Sequence, residues 1–167
     1  AAVAGIIADV RARGDTAVIA LTEQYDRITL TPQTMRLTAE EVGRAAGEVP
    51  GDVRAALETA AARIRAYHAR QMPEDAAWED ETGAKLGWRW TPVDAAGLYV
   101  PGGLATYPSS VLMNAVPAKV AGVGRLAMVV PTPGGALNPA VLAAAQIAGV
   151  DEIYRIGGAQ AVAALAY

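Results

Sequence analysis

The sequence predicts an α/β fold in which a helical amino-terminal arm and a β-hairpin precede a parallel sheet. From Ala95 onward, short apolar strands alternate with helix-like segments, which favours parallel strands joined by right-handed crossovers. The strand cores, such as LAMVV at 126–130, are apolar throughout, as expected of strands covered on both faces. Of the 14 basic and 17 acidic side chains, only six follow Trp90, so the second half should supply most of the core.

Four helices are predicted in the arm, from apolar residues at helical spacing. The first contains the apolar positions between Val3 and Val10, and Asp15 is expected to cap the second. Thr38 and Glu41 have the spacing of a capping box, which starts the third helix. A longer fourth helix carries apolar residues from Val53 to Tyr67.

A β-hairpin is predicted after the fourth helix. Its strands are Trp78–Glu81 and Lys85–Thr91, and they turn around Gly83. The three tryptophans of this region are expected to cover the helical arm, since large aromatic side chains are usually buried against neighbours. The acidic residues 79–81 fit a solvent-exposed edge of the hairpin.

Three parallel strands and three helices are predicted in the second half. The strands lie at 96–100, 125–130 and 152–156, and the helices at about 110–121, at 139–148 and after residue 158. Asn138 should cap the second helix, and Ser109 and Ser110 should cap the first. Asp151 and Glu152 are expected to be solvated, and the third strand is expected to expose its edge.

The candidate binding region is the carboxyl edge of this sheet, where ligands bind in open α/β folds. Three turns meet that edge, at 99–103, 131–135 and 157–160. Glycines permit close backbone approach, and the helices that follow favour anions such as a pyrophosphate. Tyr99 offers a ring and a hydroxyl, and Gln160 offers an amide. However, α/β domains without ligands also use such turns, and the G-x-G-x-x-G motif is missing. Spacing alone therefore does not decide whether these turns bind a nucleotide.

Composition and motifs exclude several other classes of site. The chain has no cysteine and one histidine, His68, which fits a partly exposed helix position better than a catalytic one. No clustered carboxylates and no nucleophile motif accompany it, so we assign no catalytic residue and no metal ligand. A net charge of −3 gives no electrostatic case for nucleic acid or an anionic membrane. With no predicted span or signal peptide, a cytoplasmic location is expected.

Long motifs, in order, resemble the histidinol dehydrogenase family over nearly all 167 residues. They are IIADVRARGD, LT-x-x-YD, GLYVPGG, YPSSVLMNAVPAKVAGV, PTPGG and LAAAQIAGVDEIYRIGGAQAVAALAY. The motif GGAQA favours this family over the related sulfonate-diol dehydrogenases. The resemblance implies an incomplete Rossmann-like, aldehyde-dehydrogenase-like sheet without the usual glycine fingerprint. It divides the chain into a helical arm plus β-hairpin at 1–94 and the first part of an NAD-binding domain at 95–167.

The resemblance also implies an activity and a set of cofactors. The family oxidises L-histidinol through L-histidinaldehyde to L-histidine with two NAD, in histidine biosynthesis, as a homodimer. A zinc ion positions the substrate, and a Glu-His pair performs the acid–base steps. The family's NAD-contacting tyrosine and glutamine correspond to Tyr99 and Gln160, and Pro101 and Pro131 line the same cofactor side.

The remaining family residues correspond to no position of this sequence. The zinc ligands, the Glu-His pair and the substrate serine follow the point at which the sequence stops, so the chain is expected to be a fragment, inactive alone. Two alternatives stay open. One is an NAD-dependent dehydrogenase of another small polar alcohol, and the other is a non-catalytic binding module.

Overall fold

A computed structural model describes residues 2–102 and 107–167, so Gly103 and the next three residues of the first predicted turn lie outside the described part. The helices are α1 (Ala2–Arg13), α2 (Asp15–Asp26), α3 (Ala39–Gly47), α4 (Gly51–Ala69), α5 (Pro108–Val120), α6 (Pro139–Ala148) and α7 (Gly158–Ala166). The strands are β1 (Ala76–Glu79), β2 (Lys85–Trp88), β3 (Ala95–Tyr99), β4 (Arg125–Val129) and β5 (Glu152–Tyr154). The predicted element order is therefore confirmed.

Local sequence sets most of the helix starts. The Thr38 hydroxyl accepts from the Glu41 N–H, and the Glu41 carboxylate accepts from the Thr38 N–H, so the predicted capping box is present. Asn138 caps α6 as predicted, by accepting from the Val141 N–H at 3.1 Å. Asp15 does not cap α2, because Gly14, with φ of +55°, occupies the cap position and Asp15 lies in the first turn.

The predicted caps of α5 are also wrong. The helix starts at Pro108, whose fixed φ suits a first helical position, and Tyr107 precedes it without a side-chain cap. Ser109 and Ser110 therefore lie inside the first turn, where the Ser110 carbonyl accepts from the Asn114 amide at 2.6 Å.

The main sheet is parallel, in the order β3-β4-β5, with Tyr99 beside Val129 and Val129 beside Tyr154. Side chains of β4 alternate between two cores, so that Met128 joins one and Val129 the other. Helices α3 to α6 enclose the first core, and α1, α2 and α7 enclose the second. This arrangement confirms the predicted α/β architecture. The division of the chain at residues 94 and 95 stays a prediction.

The outer edge of β5 is covered, contrary to the sequence-based expectation. The Leu37 N–H donates to the Ile153 carbonyl at 2.8 Å, and the Arg155 N–H donates to the Met35 carbonyl at 2.9 Å. Arg36 forms an antiparallel bridge with Tyr154 between them. A segment between α2 and α3 thus pairs with the sheet, and within the described ranges β3 carries the unpaired edge.

Asp151 and Glu152 are both engaged in a charge network. Asp151 is exposed, as expected, with its side chain 43% accessible, whereas the expectation that Glu152 is solvated is wrong. The Asp151 carboxylate accepts from Lys119 Nζ at 2.8 Å and from the Leu126 N–H at 2.7 Å. The Glu152 side chain is only 12% exposed and accepts from Arg125 Nε at 2.6 Å and from the Tyr154 hydroxyl. The Arg125 hydrogen bond, followed by that of Tyr154, lowers the pKa of Glu152 to about 2.

The tryptophans of the hairpin do not cover the arm, which corrects another expectation. Trp78, Trp88 and Trp90 are 45%, 55% and 60% exposed. The strands β1 and β2 pair antiparallel with each other, and the described residues show no extensive packing of either strand on another element. None of the helices within 2–102 and 107–167 combines the length and apolar character of a membrane-spanning segment.

Candidate functional site

The three turns predicted to share the carboxyl edge of the sheet meet around Pro131. A Cβ at Gly102, after β3, would lie 2.6 Å from the Pro131 carbonyl oxygen. A Cβ at Gly157, after β5, would lie 2.5 Å from Pro131 Cβ. Neither position has room for a side chain, because the carbonyl and ring of Pro131 fill the space beside both glycines. Within the described residues, the sequence-based prediction of one shared edge is therefore confirmed.

Tyr99 joins the end of β3 to the start of α7. Its hydroxyl oxygen accepts a hydrogen bond from the Gly158 N–H at 3.4 Å, and the residue is 40% exposed. Since the oxygen serves as the acceptor, the hydroxyl proton remains available to a ligand. The exposed part of the ring adds an apolar surface at the same position.

Gln160 lies in the first turn of α7 and is 2% exposed. Its Oε1 would be 2.6 Å from a Cβ at Gly158, so the amide folds back over the beginning of the helix. Gly158 has φ of +65°, a conformation that L side chains rarely adopt. Glycine at 158 thus meets both requirements, a left-handed backbone and space for the Gln160 amide.

An apolar cavity of about 450 Å³ lies on the other side of Pro131, toward α6. Its walls include Pro101, Pro131, Leu137 and Leu142. Thr132 contributes a hydroxyl, which is buried and finds no hydrogen-bond partner among the described residues. Sequence analysis missed Thr132, although a polar residue between two prolines at a strand end was a usable signal.

The four predicted site residues divide between two sides of this edge. Pro101 and Pro131 line the cavity, whereas Tyr99 and Gln160 lie beside the start of α7 and do not line it. Pro131 connects the two sides, because it lines the cavity and also contacts Gly157.

The chemistry offered by this edge is binding and orientation. None of the described residues that line the cavity has an ionisable side chain, so the cavity itself holds no proton donor or acceptor of the acid–base kind. Apart from the Gly158 N–H, which donates to Tyr99, the N–H groups in the first turn of α7 have no partner within the helix, and such groups favour an anion. In the described part of the chain, no three His, Cys, Asp or Glu side chains are grouped so that they could hold a metal ion.

Comparison with known proteins decides the family. The family model described as histidinol dehydrogenase matches residues 1–167, the whole chain. The chain belongs to the histidinol dehydrogenase family. The histidinol dehydrogenase of Ruegeria pomeroyi is 75% identical over all 167 residues, and that of Cereibacter sphaeroides is 67% identical.

A solved structure agrees with this assignment. The crystal structure of histidinol dehydrogenase from Elizabethkingia anophelis matches 97% of the chain with a TM-score of 0.90 and 32% sequence identity. The match covers 37% of that protein, and the chain spans 39% and 38% of the Ruegeria and Cereibacter histidinol dehydrogenases.

Proposed function

We propose that this chain supplies the NAD-binding side of a histidinol dehydrogenase, which oxidises L-histidinol through L-histidinaldehyde to L-histidine with two NAD. The observation that carries the proposal is the meeting of Tyr99 with the start of α7, where Gln160 lies, next to the cavity of Pro101 and Pro131. Membership of the family supports the reaction.

The residues present fit a dinucleotide. An apolar cavity beside two prolines suits a flat heteroaromatic ring, and the N–H groups of α7 suit a pyrophosphate. The Tyr99 hydroxyl and the Gln160 amide would bind and orient polar groups of the cofactor. When bound, NAD accepts the hydride removed from the substrate carbinol.

The residues present do not fit the zinc ion that the family implies. Zinc sites use three or four His, Cys, Asp or Glu ligands, and the described residues bring no such group together. The sole histidine, His68, lies in α4 with its ring 5.2 Å from that of Tyr67, edge to face. We therefore assign no zinc ligand and no histidinol contact to this chain.

Substitutions at the two polar residues test the cofactor role. In a complete histidinol dehydrogenase carrying this segment, Tyr99→Phe and Gln160→Ala should each lower the affinity for NAD about fivefold to tenfold. This is the effect of one lost hydrogen bond. The KM for histidinol should stay unchanged. Tyr25→Phe and Gln24→Ala, on exposed positions of α2, are matched controls. Unaltered NAD affinity in both test variants would remove the cofactor assignment.

The alternatives of the sequence analysis remain testable beside this function. An enzyme for another small polar alcohol would show the same NAD dependence but prefer that alcohol to histidinol. A non-catalytic module, which the lack of ionisable residues in the cavity favours, would bind NAD in the complete protein without forming NADH. The family assignment supports a cytoplasmic homodimer for the complete enzyme, and gel filtration of that enzyme tests the dimer.

A further inference from the structure

One polar side chain in the wall of the cavity beside Pro131 is buried without a partner in the described part of the chain. Thr132 is 2% exposed, and its hydroxyl makes no hydrogen bond to any described residue. Such a hydroxyl destabilises a protein, because it has given up its hydrogen bonds to water. Thr132 lines the cavity, so a molecule bound there lies next to this side chain and can supply the missing partner.

A second polar group of the same wall is held in place by a helix cap. Asn138 Oδ1 accepts from the Val141 N–H at 3.1 Å, which fixes the side chain at the start of α6. Since the cap uses the amide oxygen, Nδ2 is left as a donor, and it makes no hydrogen bond within residues 2–102 and 107–167. The cavity therefore offers a fixed donor at Asn138 and a hydroxyl at Thr132, and its other described walls are apolar.

The cavity fits one end of NAD, the cofactor of the proposed function, on which this inference rests. Its volume of about 450 Å³ lies within the range of small-ligand sites, roughly 300–1,000 Å³. NAD has two rings, and the nicotinamide must face the substrate because it accepts the hydride. The described walls carry no ionisable side chain, and this chain is assigned no histidinol contact, so the cavity suits the ring that does not react. That ring is adenine, whose edge carries an amine donor and ring nitrogens that accept.

We propose that Thr132 and Asn138 select the adenine ring of NAD. Asn138 Nδ2 donates to the ring nitrogen N1, and the Thr132 hydroxyl oxygen accepts from the neighbouring N6 amine. The pyrophosphate then lies toward the first turn of α7, on the other side of Pro131, and the nicotinamide lies away from the cavity. Both residues bind the cofactor and set its specificity, and neither takes part in hydride transfer.

Calorimetric titration of a complete histidinol dehydrogenase carrying this segment tests Thr132, with ADP-ribose and nicotinamide mononucleotide as separate probes for the two ends of NAD. Thr132→Val should lower the affinity for ADP-ribose about fivefold to tenfold, as one lost hydrogen bond does, and leave the affinity for nicotinamide mononucleotide unchanged. Thr132→Ser keeps the hydroxyl, so it should bind ADP-ribose within about twofold of wild type. Without ligand, Thr132→Val should raise the urea midpoint of unfolding, because it removes an unpaired buried hydroxyl.

Thr22→Val is the matched control for this substitution. Thr22 is also buried, and its hydroxyl also finds no partner among the described residues, but it lies in α2 and does not line the cavity. The control should therefore raise the urea midpoint in the same way and leave the affinity for ADP-ribose unchanged.

Asn138→Asp tests the second contact, since it keeps the oxygen that caps α6 and removes only the N–H donor. Nicotinamide hypoxanthine dinucleotide differs from NAD in carrying a hydrogen on N1 and an oxygen in place of the N6 amine. It should bind wild type about tenfold more weakly than NAD, because two donors then face each other. Asn138→Asp should reverse this preference, because a carboxylate accepts from that N1–H.

Three outcomes would overturn the proposal. They are equal ADP-ribose affinity in wild type and Thr132→Val, a loss confined to nicotinamide mononucleotide, and an Asn138→Asp variant that still prefers NAD. The second would place the reacting ring in the cavity. The proposed function is tested separately, because Tyr99→Phe and Gln160→Ala would still lower the affinity for NAD if only the adenine assignment were wrong.

Discussion

The hydroxyl of Tyr99 accepts a hydrogen bond from the backbone N–H of Gly158, although 59 residues separate the two positions in the chain. One residue ends β3, and the other begins α7. This bond holds the Tyr99 hydroxyl at Gly158, the same residue over which the Gln160 amide folds back. The relationship makes the start of α7 the position at which substitutions are most informative.

Gly158→Ala should weaken NAD binding in the complete enzyme about tenfold. The added methyl would lie 2.6 Å from Gln160 Oε1, so the amide would have to leave its position. The positive φ should also lower the free energy of unfolding by ~1–2 kcal/mol. NAD titration and urea unfolding measure the two effects.

Gly149→Ala is the matched control. Gly149 also has a positive φ, +78°, and ends α6, but its added methyl would meet only the end of the Lys119 side chain at 3.7 Å. It should therefore lose similar stability and keep NAD affinity. Equal NAD affinity in the two variants would contradict the role given to Gly158.

Glu152→Gln should change the acid sensitivity of the fold. The pKa of Glu152 is about 2, below its ordinary value of 4.5, because Arg125 and Tyr154 donate to the carboxylate. Folding therefore favours the ionised form, so its stabilisation is present above pH 4.5 and is lost as the pH falls toward 2. The variant should unfold more easily at pH 7 and lose less stability between pH 4.5 and 2.

Urea unfolding at a series of pH values measures this difference. Glu48→Gln serves as the control, because Glu48 is an exposed carboxylate at the end of α3. Parallel curves for wild type and Glu152→Gln across the acidic range would show that the Arg125 pair does not stabilise the folded state.

Thr38→Ala should lower the free energy of unfolding by about 1 kcal/mol, since it leaves an N–H of the first turn of α3 without its cap. Thermal unfolding followed by circular dichroism measures the loss. Thr16→Ala, at an exposed position within α2, should change stability by less than about 0.5 kcal/mol. Equal losses at both positions would mean that the capping box contributes nothing.

The 167-residue chain alone should form no histidine from histidinol. The described residues provide no zinc ligand set, and the cavity walls provide no ionisable group. NADH absorbance with histidinol, NAD and zinc measures turnover. Detectable turnover by the purified chain would show that catalytic residues lie within it and were misassigned.

Local patterns in the sequence predicted the elements well. Thr38, Glu41 and Asn138 act within three residues of themselves, so their caps follow from short motifs. The shared edge of the strands followed from parallel topology, and Pro131 indeed contacts both Gly102 and Gly157. The roles of Tyr99 and Gln160 came from family resemblance, since turn chemistry alone fits many α/β domains.

Long-range contacts account for the wrong expectations. The partners of Glu152 include Arg125, 27 residues away, and no local pattern connects them. The pairing of Met35 and Leu37 with β5 is equally remote. The exposure of Trp78 and Trp88 could not be predicted, because aromatic composition indicates a need for burial without specifying the partner.

The segment that covers β5 has a consequence for synthesis on the ribosome. Glu41 lies next to this segment and pairs with Arg155, 114 residues later in the chain. At ~5–20 residues per second, roughly 6 to 23 seconds pass between the emergence of these two residues. During that interval the segment has no strand to bind. The amino-terminal arm is therefore synthesised first, but the contacts of this segment with β5 form late. A chaperone that binds nascent chains would encounter the segment unpaired.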